Sequence, residues 1–165
     1  MAILTILKSR HFSSKLNLIA HHYLGLGILL SLIANPVAAQ DVVAIDGDLA
    51  ATPIVLSGNT SGNLKAIEIS GTENTATGYC DGYINPQPNH LLKLDSFFDS
   101  LRLEVQSSAD TTVLIKGNGG VWCNDDSGSA NPLIEGQWQA GSYKVWVGSY
   151  QPDTSNSYQI RITGQ

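Results

Sequence analysis

From about residue 53 onward, apolar and polar residues alternate in short runs. Leu101, Leu103 and Val105 are interleaved with Arg102, Glu104 and Gln106, which predicts a strand with one buried face. Tyr158, Ile160 and Ile162 alternate with Gln159 and Arg161 in the same way. Over Tyr143–Val147 the pattern differs. Tyr143, Val145 and Val147 share one face, but the other carries Trp146 beside Lys144, so apolar bulk lies on both sides. Thr111–Ile115 is β-branched and mostly apolar, which also suits a strand covered on both faces. Shorter strands are predicted at Pro53–Leu56, Leu64–Ile69, Tyr79–Ile84 and His90–Asp95.

Turn chemistry separates these runs. Gly117-Asn118-Gly119-Gly120 predicts a tight hairpin joining Thr111–Lys116 to Val121–Cys123, because Gly and Asn accept positive φ. Ser57-Gly58-Asn59, the polar stretch 70–78, Asn85-Pro86-Gln87-Pro88 and the stretch 151–156 read as turns or loops. So does the Gly-, Ser- and Pro-containing segment after Asp126. Beyond residue 40 no apolar repeat at helical spacing is sustained. Seven to nine short strands therefore predict an all-β fold, a jelly-roll-like antiparallel sandwich.

The N-terminal segment has a different pattern. Lys8, Arg10 and Lys15 precede an apolar run from Tyr23 to Ala34; Asn35-Pro36 breaks it, and Val37-Ala38-Ala39 supplies small residues. This predicts a signal peptide over 1–39 with Gln40 as the first mature residue, and a secreted or periplasmic destination. An uncleaved anchor is the rival reading, but the run is short for a span of about 20 residues. Cleavage removes three of the nine Lys and Arg and none of the fourteen Asp and Glu. The net charge moves from −5 to −8. Such a chain has no electrostatic footprint for nucleic acid or for an anionic membrane surface. Residues 40–77, with Asp46-Gly47-Asp48 read as a turn, would supply N-terminal strands or an arm, and 78–165 the main sandwich.

Cys80 and Cys123 are the only cysteines. In an exported protein an even count favours a disulfide over free thiols or a metal pair. Asn124, Asp125 and Asp126 are the metal-ligand candidates, because calcium takes carboxylate, amide and backbone oxygens on a bent loop, with Asp81 or Asp110 as further donors. The same three residues are also ordinary turn formers, the stronger reading. As a general acid and base, Asp125 and Asp126 are poorly placed, being adjacent rather than across a bound sugar. His90 is the only histidine after residue 40 and the only possible triad base; beside Leu92 and Leu94 it reads as a packed or rim residue. Trp122, Trp138 and Trp146 read mainly as core. Trp138, flanked by Gln137 and Gln139, is the expected exposed member and a possible ligand contact.

Several of these pieces, in order, resemble the bacterial pre-peptidase C-terminal domain family. They are Gly78-Tyr79-Cys80-Asp81-Gly82-Tyr83-Ile84, Pro88-Asn89-His90, Leu101–Val105 leading to Ala109-Asp110-Thr111-Thr112, Trp122–Asp126, Asn131-Pro132, Gly141–Tyr150 and Tyr158–Ile162. Residues 40–77 lie outside the resemblance. It implies a secreted β-sandwich accessory module without catalytic activity, of a kind attached to peptidases, some relatives of which bind matrix proteins or calcium. The expectation is thus an exported, non-catalytic module binding an extracellular protein, polysaccharide or surface, with calcium as the one cofactor considered. The alternative is an accessory domain assisting a separate secreted hydrolase.

Overall fold

The computed structural model describes residues 41–46, 49 and 52–164. The predicted leader over 1–39, and Gly47 and Asp48 of the Asp-Gly-Asp turn, lie outside the described residues. In chain order the elements are β1 (Val42–Ile45), β2 (Ile54–Asn59), β3 (Leu64–Lys65), α1 (Ala66–Ser70), β4 (Asn74–Thr75), β5 (Gly78–Tyr79) and β6 (Tyr83–Ile84). They continue with β7 (His90–Leu94), β8 (Phe98–Gln106), β9 (Thr111–Gly117), β10 (Gly120–Asn124), β11 (Leu133–Trp138), β12 (Gly141–Ser149) and β13 (Ser157–Gly164). Four strands (β3 to β6) are two-residue pairings, which leaves nine of ordinary length.

Two sheets form the sandwich, and β12 is the hub of the first. Along one edge it pairs β9, from Tyr143↔Gly117 to Ser149↔Thr111. Along the other it pairs β7 over residues 141–145 and then β6 at Ser149↔Tyr83. Beyond these, β1 extends β7, β10 extends β9 and β3 extends β6. The second sheet runs β11-β8-β13-β2. Pairing is antiparallel except between β1 and β7, which run parallel. That parallel pair departs from the wholly antiparallel expectation.

The alternation explains the layers. Leu92, Leu94, Val113, Ile115, Tyr143, Val145 and Val147 from the first sheet meet Leu101, Leu103, Val105, Ile160 and Ile162 from the second in one buried cluster. Each such aliphatic side chain contributes about 1.5–3 kcal/mol relative to exposure. The first sheet is also covered on its outer face. There Leu114, Cys123 and Trp146 pack with Ala66, Cys80 and Ile84 in a second cluster. Thr111–Ile115 is buried throughout, as expected of a strand with two covered faces. The cover is tied down by the Cys80–Cys123 disulfide, which joins residues 43 apart in sequence.

Three local readings are corrected. The strand expected over Leu64–Ile69 pairs β6 only at Leu64 and Lys65, then becomes helix α1. Ala66, Ile69 and Ser70 fall at i, i+3 and i+4; Ala66 and Ile69 pack onto the outer face of the first sheet, while Gly71 in the left-handed region ends the turn (φ 79°). So short a run does not distinguish the two periods. A strand, β11, lies inside the segment expected to be loop. Its inward residues are Ile134 and Trp138, and Gly136 between them has no side chain to show the alternation. Finally, Trp138 is 5% exposed rather than a surface contact. It stacks on Trp122 at 6.0 Å and packs against Tyr143 at 4.9 Å between ring centroids. Gln137 is an outward position of the β11 alternation, and Gln139 lies just past the end of the strand.

The hairpin at 117–120 forms as expected, with Gly117 paired to Gly120. Gly119 takes the positive φ (99°) and Asn118 does not; the Asn118 amide instead donates to Ala140 O at 2.9 Å. Gly117 lies directly under the Tyr143 ring, where no Cβ fits.

Opening the disulfide by a Cys80→Ala/Cys123→Ala double substitution is expected to lower unfolding free energy by up to about 4 kcal/mol from chain entropy. The measurement is chemical denaturation followed by β-sheet circular dichroism. An unchanged midpoint would show that the bridge adds nothing to packing already in place.

Candidate functional site

The predicted ligand residues meet at one corner but in different roles. Asn124 ends β10 and is buried. Its amide NH₂ donates to Thr77 O at 2.8 Å, and its Oδ1 accepts from the Leu133 N–H at 3.1 Å. Both ends of the side chain therefore tie loops together. Asp81 Oδ1 accepts from Gly82 N–H at 2.8 Å, an ordinary turn contact. One oxygen of Asp125 is buried without a hydrogen-bond partner. Burial, then the charges of Asp126, Asp110 and Asp81, push the Asp125 carboxyl up from 3.8 to about 6. Burial and Asp126 also raise Asp110.

Among the described residues, none of these four aspartates joins an ion pair, and no three His, Cys, Asp or Glu side chains are grouped to hold a metal ion. The Asn124 amide already bridges Thr77 and Leu133, and the carboxylates of Asp81, Asp110, Asp125 and Asp126 lie close enough for their charges to raise Asp125.

His90 is held just as firmly. Its Nε2 lies 2.9 Å from the Tyr158 hydroxyl, with the rings edge-on at 5.9 Å. β7 and β13 belong to different sheets, so this contact bridges the sandwich. Burial lowers the His90 pKa and raises that of Tyr158. The imidazole packs with a buried phenol as its partner, and this is not the geometry of a nucleophile and its base.

The feature that sequence reasoning missed lies on the outer face of the first sheet, beside α1. It is a groove of about 670 Å³. Val42, Leu91, Ile69 and Trp146 supply apolar lining, and Lys116 and Lys144 supply charge. The floor follows from register. Val42 opposes Leu91, Leu91 opposes Lys144, and Lys144 opposes Lys116, so one rung crosses four strands. Val42 is 59% exposed and Lys144 is exposed, whereas Trp146 is 4% exposed. The Lys116 ammonium donates to Ile69 O at the end of α1 at 2.9 Å, which fixes the helix against the sheet. The clue in the sequence was the basic residues: Lys93, Lys116 and Lys144 are half of the six that follow residue 39, and all occupy outward positions of one sheet.

No family model matches the chain. An uncharacterised protein of Synechococcus elongatus is 29% identical over 103 residues, which cover 60% of this chain and 76% of that protein. Among solved structures, the pre-peptidase C-terminal domain of collagenase from Bacillus anthracis superposes with a TM-score of 0.44 at 8% identity, over 76% of this chain and 97% of that domain. PliG of Aeromonas hydrophila, a periplasmic inhibitor of g-type lysozyme, superposes with a TM-score of 0.41 at 10% identity, over 77% of this chain and 100% of that protein. Both superpositions are loose, and neither speaks for a site or a partner.

Asp125 sets a pH test. Its folded pKa is raised, so the folded state holds more protons than the unfolded state between pH 3.8 and about 6. Stability therefore falls as pH rises through that window and stays lower above it. Asp125→Asn is expected to raise stability at pH 7 by about 1 kcal/mol, after discounting for solvent screening, and to flatten the pH profile. Thermal unfolding from pH 3 to pH 8 measures both. A calcium-dependent rise in midpoint that this variant abolishes would instead assign a cation to the corner.

Proposed function

We propose that this protein is an exported, non-catalytic β-sandwich that binds a partner on the outer face of its first sheet. The groove beside α1 carries the reading: a concave, mostly apolar surface with a few placed polar groups is the ordinary form of a ligand site. The disulfide supports export, because such bonds persist in oxidising compartments. Several side chains of chemical interest elsewhere are engaged in the fold. Cys80 and Cys123 are bridged, His90 is bonded to Tyr158, and Asn124 spans two loops.

The test is amide chemical-shift mapping of the purified protein against a fragment library of short acyl, aromatic, saccharide and dipeptide probes. Perturbations are expected to cluster at Val42, Leu91, Lys116 and Lys144, and to persist in His90→Phe and Asp125→Asn variants. Perturbations centred on Asp110, Asp125 and Asp126, with turnover of a fragment, would replace this reading with an enzymatic one.

A further inference from the structure

We propose, resting on the groove reading above, that the ligand is a free fatty acid. Its acyl chain would lie against Val42, Leu91, Ile69 and Trp146, and its carboxylate at the Lys116 and Lys144 ammonium groups.

Three observations point to that chemistry. First, the charge is out of place. The chain after residue 39 carries fourteen acidic residues against six basic ones, yet two of those six line this groove. Lys144 and Lys116 stand directly opposite one another on β12 and β9. Like charges in that position repel and destabilise the sheet unless an anion lies between them. Lys116 uses one donor on Ile69 O, and an ammonium has three. Glu68 on α1 is the one carboxylate lining the groove among the described residues, and no ion pair joins it to either lysine.

Second, the rest of the lining is mostly apolar: Val42, Ile69 and Leu91 stand beside the two lysines, with Glu68 as the single opposing charge among the described residues. Two cations beside aliphatic walls favour a ligand whose polar end is an anion. Third, size and shape fit. About 670 Å³ lies within the range of small-ligand sites and leaves room for one acyl chain. Trp146 does not present its ring face to solvent, so the stacking surface that a neutral sugar requires is missing. The net negative charge of the protein opposes approach to an extended anionic bilayer more than to a single carboxylate.

The experiment is isothermal titration of the purified protein with decanoate, dodecanoate and tetradecanoate below their micellar limits. The comparators are dodecyltrimethylammonium, dodecyl maltoside and acetate. Binding is expected for the carboxylates, with each added methylene tightening Kd by about two- to fourfold. Acetate and the cationic amphiphile are expected not to bind. Lys144→Glu should weaken dodecanoate binding about tenfold or more, as charge reversal beside an anion does. Lys93→Glu, on the same face but paired with Asp95 and outside the groove, should change it less than twofold. The unfolding midpoint of Lys144→Glu should be no lower than the parent's, because the change replaces a like-charge pair with an opposite-charge pair across β9 and β12, so that lost affinity is not lost fold. Equal binding of the maltoside or the ammonium amphiphile would overturn the anionic ligand. Silence of every amphiphile, or a dimer on sedimentation that occupies the groove, would overturn it too. If fragment mapping still marks the groove in those cases, the ligand class fails and the binding reading stands; if mapping is silent as well, both fall.

Discussion

The first sheet has two apolar faces, and that constraint governs the rest of the molecule. Its central strands carry Tyr143, Val145 and Val147 inward and Trp146 and Leu114 outward. A sheet of this kind requires a layer on each side. The second sheet supplies one. The other is a short polar stretch holding one helical turn and a few two-residue strands, too small to fold by itself. Cys80–Cys123 anchors it to β10, and Thr77, Asn124 and Lys116 add hydrogen bonds around that anchor. The cover extends only as far as α1. Where it stops, strand surface continues out to β1, and the groove is the part that no other described residue covers.

Much of this architecture was legible in the residues. Period-two alternation identified β8, β12 and β13, and the doubly apolar character of β9 and β12 predicted their covered faces. The hairpin at Asn118-Gly119 was visible as turn chemistry. The pattern gave way where one residue type serves two purposes. Gly136 interrupts the alternation of β11 by having no side chain, so a strand read as loop. Over residues 64–69 the i, i+2 spacing of Ile67 and Ile69 reads as a strand, whereas the helical turn is defined by Ala66, Ile69 and Ser70, and Ala66 packs in the cluster that holds the disulfide. Trp138 was misplaced because outward glutamines were taken for a sign of exposure.

The site was less legible, for a different reason. Asn124, Asp125 and Asp126 carry the right atoms for a cation, but availability depends on what those atoms already touch. Asn124 is spent on Thr77 and Leu133, contacts made across the fold. The groove has the opposite difficulty. Val42, Leu91, Lys144 and Lys116 come from four separate strands, and no one of them is unusual in its own segment. They become a row only when register aligns them. A motif search along the chain does not see such a row, whereas a sheet displays it at once.

β13 is the last strand described, yet it occupies an interior position of the second sheet, between β8 and β2. Until residues 157–164 have left the ribosome, β2 has no neighbour and β8 has only β11. A half-made chain therefore has no sandwich to close into. The second sheet closes only once the far end of the domain has been made.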